Sequence, residues 1–470
     1  MKLLDLPYDI LIEITSYLYE PPNSSWKSLR LWDAPDLSNL CSTSQTCTML
    51  RNITRPLRFR YVWCTSWNNV LLLANSLTRN QGMEREIKYL SLNKLIISQS
   101  SMRALMSRLL VQLTALEALH AQFLGKIDTP LLCSLLNSRA LQHLSIDCFT
   151  MYLDPIPSFT SLRLVSLQFG IMDLPTDHAI VLLHNLLGGS KDTLELLELC
   201  IASGTQSGKF LLSQLFPKLG STSSTPNLHL PVLKELGLFG RIQIDDDVLA
   251  RMSLSLPRLA VLKVKTMIGN VVDRFGTGCW GALECLHLGY ALFSGIDMTN
   301  VHNIRHDRLF MNLQHLSELH ITAFPNSLTF RILVQGLRAT PLTKVRNFTL
   351  HMQSWNGVAI KIEDFLALFK GIPGVRKLTI LHAWDESLIC QAENMWSTDI
   401  EAFASALKGK FCSILSNFSD FSKVYKNYKN YSSIQCLRAS VYALSRAALV
   451  TTHSRCLSGE SSTSVPIYPS

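Results

Sequence analysis

A short apolar pattern, Leu-x-x-Leu-x-Leu with Val, Ile, Phe or Ala at some places, recurs along the chain. The copies are IKYLSL from Ile87, LEALHA from Leu116, LQHLSI from Leu141, LRLVSL from Leu162, LELLEL from Leu194, LKELGL from Leu233, LAVLKV from Leu259 and LECLHL from Leu283, then LSELHI from Leu316, VRNFTL from Val345 and VRKLTI from Val375. These eleven copies start 21 to 39 residues apart. The last two apolar positions of each copy are two apart, so on a strand they point to one face. The first apolar residue belongs to the turn that enters the strand. Between copies lie stretches with helical periodicity, such as MRALMSRLLVQL from Met102 to Leu113, which predict helical returns to the next strand. The expected fold class is α/β, with parallel strands and helical returns stacked into a solenoid.

One strand and one return per 20 to 40 residues is the leucine-rich-repeat plan. The asparagine that follows the strand in regular repeats is mostly absent, so the array is irregular, running over residues 87–400. Two longer spacers, around Gly204–Pro231 and Asp297–Asp307, are polar or rich in Gly, Ser, Thr and Pro and read as surface excursions. The residue between the last two apolar positions of each copy points away from the core. That register collects Ser91, His120, Ser145, Ser166, Glu198, Gly237, Lys263, His287, His320, Thr349 and Thr379 on the inner face. Repeat solenoids use this face for binding. His120, Glu198, Lys263, His287 and His320 are the candidate target-binding residues.

Ahead of the repeats, residues 3–18 read LLDLPYDILIEITSYL. Pro7 suits a helix start, Asp9 and Glu13 favour its N-terminal half, and Ile10, Ile14 and Leu18 recur at i, i+4 and i+8. After a polar, proline-bearing break, a second helix is expected from about Asp36 to Leu50, then a third piece ending at Trp63. LPYDILIEITSYL (Leu6–Leu18), DLSNL (Asp36–Leu40) and QTCTMLRNI (Gln45–Ile53) together resemble the F-box, a three-helix module. The resemblance implies docking onto a Skp-family adaptor, and through it a cullin, in a cullin–RING ubiquitin ligase. It assigns Leu6, Pro7, Ile10, Ile14, Leu18 and Leu40 to that contact or to the small core behind it, with Cys47 and Leu50 packing the later helix. The chain departs from the family in its longer Tyr19–Pro35 linker and in Thr43, where an apolar residue is common. The repeats are similar to the irregular leucine-rich repeats of F-box proteins.

Composition narrows the function. With 47% hydrophobic and 17% charged residues, most of the chain is expected to bury surface rather than remain disordered. The net charge of +9 is not gathered into a Lys/Arg block, which argues against nucleic acid; Arg55, Arg58 and Arg60 read as a solvated helix face. Twelve cysteines without a Cys-x-x-Cys pair disfavour a zinc framework or a disulfide scaffold and suit a reducing compartment, cytoplasmic or nuclear. No signal-peptide pattern and no apolar run long enough for a membrane span is expected. GTQSGKF (Gly204–Phe210) fails as a phosphate loop for lack of spacing and of a Ser or Thr at its end. His302 and His306 lack carboxylate partners at ligand spacing, so no metal, cofactor or catalytic site is expected. Residues 387–415 read as a helical cap, and the Ser-, Tyr- and Lys-rich stretch from Ser416 as disordered. The expected organisation is a helical module (1–63), a helical connector (64–86), the repeats (87–400) and a C-terminal cap with tail (401–470). The expected role is a non-catalytic substrate-recognition adaptor of a ubiquitin ligase. The alternative is a repeat scaffold for protein interaction with no ubiquitin connection.

Overall fold

The computed structural model describes residues 3–18, 38–97, 100–127, 129–135, 138–151, 158–170, 183–202, 210–216, 228–240, 242–243, 248–264, 267–268, 278–289, 310–323, 327–352 and 370–382. The Tyr19–Pro35 linker, the loops around 204–209, 217–227 and 297–307, and the expected cap and tail beyond 382 lie outside them. The chain divides into two compact units, Met1–His315 and Leu316–Ser470.

The first unit opens with three helices: α1 (Tyr8–Tyr17), α2 (Ser38–Thr46) and α3 (Thr48–Arg60). The sequence suggests one helix through Leu50, but the structure breaks it at Cys47, whose backbone is extended (φ −159°, ψ 165°). The reason is local. Ser42, Thr43, Ser44 and Thr46 turn their hydroxyls back onto carbonyls three or four residues earlier, which weakens a helix interior. Cys47 then caps α3, its Sγ accepting from the Leu50 N–H at 3.4 Å.

With no intervening loop, α3 runs into β1 (Tyr61–Cys64), the first strand of the sheet. The solenoid therefore starts one strand earlier than the Leu pattern indicates. FRYVWC (Phe59–Cys64) is a further copy with Phe, Val and Cys in the apolar places, and its Cys64 is buried. After the connector helices α4 (Trp67–Arg79) and α5 (Met83–Glu86) come β2 (Tyr89–Ile97), α6 (Ser100–Gln112), β3 (Ala118–Ile127), α7 (Thr129–Leu135), β4 (His143–Met151), β5 (Leu164–Gly170) and β6 (Leu196–Ala202). They are followed by β7 (Phe210–Leu211), β8 (Glu235–Gly240), β9 (Ile242–Gln243), α8 (Val248–Ser255), β10 (Val261–Val264), β11 (Met267–Ile268) and β12 (Cys285–Leu288). The strand order β1-β2-β3-β4-β5-β6-β8-β10-β12 follows the chain and every pair is parallel. The short strands β7, β9 and β11 form a second parallel ladder. The second unit repeats the plan with β13 (Glu318–Ala323), α9 (Ser327–Ala339), β14 (Asn347–Met352) and β15 (Lys377–His382), also parallel.

In the first unit the three apolar positions of every copy from Ile87 to Leu288 are buried, as at Leu116, Leu119 and Ala121 or Leu141, Leu144 and Ile146, whereas Phe59 and Val62 of the first strand are half-buried. Helical returns add their own apolar stripes, such as Val70, Leu73 and Leu77 of α4. Serine and threonine hydroxyls bridge neighbouring copies. Ser138 Oγ donates to the carbonyl of Leu116 (2.6 Å), Ser161 Oγ to that of Leu141 (2.8 Å) and Thr193 Oγ1 to that of Leu162 (2.8 Å). Each acceptor is the first apolar residue of the preceding copy. Alongside, a backbone row runs from copy to copy: the N–H of Glu117 donates to the Lys88 carbonyl, Gln142 to Glu117, Arg163 to Gln142 and Glu195 to Arg163.

The corner between β8 and β9 requires glycine. Gly240 has φ +83°, and a Cβ there would run into the backbone carbonyl of Ile201. Gly82, at φ +90°, has open space around it. Gly240→Ala is expected to destabilise the chain by roughly 3 kcal/mol or more, because strain and clash add. Gly82→Ala is expected to lose only about 1–2 kcal/mol, from backbone conformation alone. Denaturant melts followed by circular dichroism measure both.

Candidate protein-interaction surfaces

The first surface is on α1. Its buried residues are Leu11 and Thr15, with Leu11 packed on Leu50 and Ile53 of α3 and with Leu6 and Cys47 at the edge of that small core. Leu40 of α2 is fully buried. Pro7 is exposed and precedes the helix, its carbonyl accepting from the Leu11 N–H at 3.1 Å, and Leu18 is half-buried at the C-cap. Ile10, Ile14 and Tyr17 fall at i, i+4 and i+7 on another side of the helix and are exposed, Tyr17 by 77%. The six residues singled out from the sequence thus separate. Leu6 and Leu40 belong to the inner packing, whereas Pro7, Ile10 and Ile14 face out. Thr43 is half-buried, and its hydroxyl is satisfied by donating to the Asn39 carbonyl.

The α3 arginines do not form the idle solvated face expected of them. Arg51 Nε donates to the Ser44 carbonyl and Arg58 Nη1 to Ser44 Oγ, tying α3 to α2. Arg55 pairs with Glu86 of α5 (3.4 Å), and the Arg60 guanidinium lies 5.8 Å from the centre of the Tyr89 ring on β2. Tyr89 in turn stacks on Tyr61 of β1, 4.2 Å between centroids with the ring planes nearly parallel.

The second surface is the inner sheet face. The register joins Trp63, Ser91, His120, Ser145, Ser166, Glu198, Gly237, Lys263 and His287 in one row across the first unit. The expectation was a binding stripe that points away from the core. Instead Ser91, His120, Ser145, Ser166 and Glu198 are all buried. By strand alternation, His143, Leu164 and Leu196 on one side and Gln122 and Gln168 on the other share the face with this row. Hydrogen bonds run along the row: His120 Nδ1 to Ser145 Oγ (3.0 Å) and Ser166 Oγ to Glu198 Oε2 (3.3 Å). Gly237 leaves room for Glu198 and for the Phe239 ring. Across it, Lys263 Nζ donates to Glu235 and stands 3.9 Å from Glu198. So Glu198 and Lys263 come together, joined by Glu235, which the one-position register had overlooked. His287 neighbours Lys263 on β12 and is half-buried. In the second unit, His320 is half-buried with Nε2 3.6 Å from Glu318, beside Thr349 in register, and Thr379 lies next along the row.

An outer row of charges crosses the turns entering the strands. Lys88 pairs with Glu117 (3.2 Å), and Glu195 lies between Arg163 and Lys234. Lys234 and Arg163 together hold the Glu195 carboxyl below its ordinary range. These pairs are solvent-facing and contribute about 0–1 kcal/mol each. They trim the register between repeats rather than hold the array.

Among the described residues no helix is long and apolar enough to cross a membrane. No protein-family model matches the chain, and no curated protein does. Among solved structures the chain is similar to the leucine-rich repeat-containing protein LegL7 from Legionella pneumophila, at 14% identity over 74% of this chain and 98% of that one, with a TM-score of 0.40. The repeat assignment rests on the strand order, register and burial of this chain itself.

Two histidines of the inner face are held neutral. Burial lowers the pKa of His120, against the opposing pull of Asp147. Burial first, then the Arg163 charge, lowers His143 from the ordinary 6.5 to about 4, with Glu117 and Glu195 opposing. A histidine whose folded value lies below its unfolded one binds protons more readily when unfolded. Stability is therefore expected to fall as pH drops through 6.5 and to level off near 4, with His143 contributing a loss of up to roughly 3 kcal/mol. His143→Gln removes that part of the slope in urea melts taken between these two pH values.

Proposed function

We propose that the chain is a non-catalytic recognition adaptor of a Skp–cullin–F-box type ubiquitin ligase, with α1 docking a Skp-family adaptor and the repeats holding a target protein. The observation that carries this is the split character of α1. Leu11 satisfies the core, yet Ile10, Ile14 and Tyr17 form an apolar strip on its outer side. A short surface helix normally keeps its outer side polar, and an apolar strip of this kind marks a partner site. The three-helix arrangement and the F-box-like motifs at Leu6–Leu18 and Gln45–Ile53 make the Skp-family adaptor the partner of choice.

The continuity of α3 and β1 supports the same role. A recognition subunit works by proximity: holding a target at a fixed place relative to the docked ligase raises its effective concentration at the transferring enzyme. With no linker between the last module helix and the first strand, and with Arg55 and Arg60 bridging to α5 and β2, the two functions share one body in the first unit. Catalysis by the chain has no part in the mechanism, and no cofactor is invoked.

The purified chain is expected to capture a Skp-family adaptor in a pull-down. Ile10→Asp with Ile14→Asp is expected to weaken that capture at least about tenfold, the scale of losing central apolar anchors, with an unchanged unfolding midpoint. Leu11→Asp is expected to unfold the module instead. Absence of capture by the folded wild-type chain would favour a repeat scaffold with no ubiquitin connection.

A further inference from the structure

The stretch from Leu37 to Met83 holds five arginines, no lysine and no acidic residue. Three of the arginines, Arg51, Arg55 and Arg58, fall at i, i+4 and i+7 of α3 and so share one side of it. Arg55 is neutralised by Glu86 of α5. Arg51 and Arg58 have no carboxylate partner among the described residues. Both turn instead to one residue of α2. Arg51 Nε donates to the Ser44 carbonyl at 3.4 Å, and Arg58 Nη1 donates to Ser44 Oγ at 3.1 Å. The Ser44 hydroxyl spends its own proton on the Cys41 carbonyl at 2.7 Å, which fixes it as an acceptor for Arg58.

Two positive charges are thus gathered around a single serine with no negative charge between them. Like charges repel at such range, and joining two helices does not call for it, because an uncharged amide would donate to the same carbonyl and hydroxyl. The donors left over are reachable. A guanidinium carries five N–H groups, and each of these two gives one to Ser44. Arg51 is exposed and Arg58 half-buried. Of the Arg58 nitrogens, Nε alone is shielded from solvent without a partner. The Arg58 guanidinium also lies over the Phe59 ring, 5.9 Å from its centre, which keeps water from one of its faces. A partly desolvated cation attracts an anion more strongly than a fully hydrated one.

Charge count and donor geometry decide the ligand. One carboxylate would cancel only one of the two charges. A phosphoryl dianion cancels both, and its oxygens suit the planar fork of a guanidinium. We propose that Arg51 and Arg58, held side by side at Ser44, form a binding site for a phosphoryl dianion, with the remaining N–H groups of both guanidiniums donating to its oxygens. The site goes beyond the adaptor role and does not rest on it. It joins α2 and α3 across the break at Cys47, so a bound phosphoryl group stabilises the packing of these two helices.

The test compares urea melts of the intact chain in sodium phosphate and in sodium chloride at matched ionic strength. Alongside, the peptide Ala-Ala-phosphoserine-Ala-Ala and its unphosphorylated form are titrated by calorimetry. Phosphate is expected to raise the unfolding midpoint above its value in chloride, since a ligand of the folded state stabilises it. The phosphopeptide is expected to bind and the unphosphorylated one not to. Arg51→Gln, at an exposed position, should weaken phosphate and phosphopeptide at least about tenfold, the scale of one charge-assisted hydrogen bond. Arg51→Lys with Arg58→Lys keeps the charge but loses the forks, and should retain part of the affinity. A phosphopeptide tighter than inorganic phosphate supports the site and assigns it to a phosphorylated side chain; equal or weaker binding supports the site and assigns it to free phosphate. Three outcomes overturn the proposal: equal midpoints in the two salts with no phosphopeptide binding, affinity indifferent to Arg51→Gln, or an equal loss from Arg79→Gln, an exposed arginine of α4, which would reduce the effect to general charge.

Discussion

Every strand of this chain depends on its neighbours. The apolar residues of a copy, such as Leu141, Leu144 and Ile146, point into a space that one strand and one return cannot close. Only the next copy on each side covers them, and the parallel register aligns their columns. Stability in such an array is shared between repeats rather than owned by any one. The hydroxyl row of Ser138, Ser161 and Thr193 and the backbone row from Lys88 to Glu195 lie across the same junctions. They satisfy polar groups at the turns while the leucines supply the driving force. The exposed ion pairs add little beside that.

This dependence extends to the N-terminal helices. An array of strands needs its open end covered, and here α3 continues directly into the first strand while Arg55 and Arg60 reach α5 and Tyr89. The cap is therefore built into the stack, and α1, packed on α3 through Leu11, inherits its rigidity. One consequence is a division among apolar side chains on a single short helix. Leu11 serves the core, and Ile10, Ile14 and Tyr17 remain exposed.

Much of the repeat body was legible in the sequence because its signal is periodic and redundant: each Leu-x-x-Leu-x-Leu copy marks a strand, and the core positions follow from alternation. β1 was hidden because Phe59 and Cys64 replace leucine, and because a helical segment with Pro56 leads straight into it. The break at Cys47 depended on hydroxyls competing for backbone carbonyls, which composition hints at and periodicity ignores. The inner row was placed in the right register, but its burial was not foreseeable from one position per repeat. It arises from neighbours two residues away and one strand over, as with Glu235 meeting Lys263 across Gly237. The shift in β2–β3 register after Leu92 escaped for a related reason, since a bulge belongs to a pair of strands rather than to either sequence. On α1 the stripe Ile10–Ile14–Leu18 was visible, but which stripe faces the core was settled by Leu50 and Ile53, far along the chain.

That the N-terminal helices and the repeats of the first unit form one cooperative body is the claim on which the rest hangs, and native-state hydrogen exchange on the intact chain tests it most directly. The amides of α3, of Lys88, which donates to the Arg60 carbonyl, and of Glu117 and Gln142 in the following copies are predicted to open together, at one common free energy near that of global unfolding. Exchange of the α3 amides at a much lower free energy, with those of Glu117 and Gln142 still protected, would contradict it and make the helical module a separate appendage.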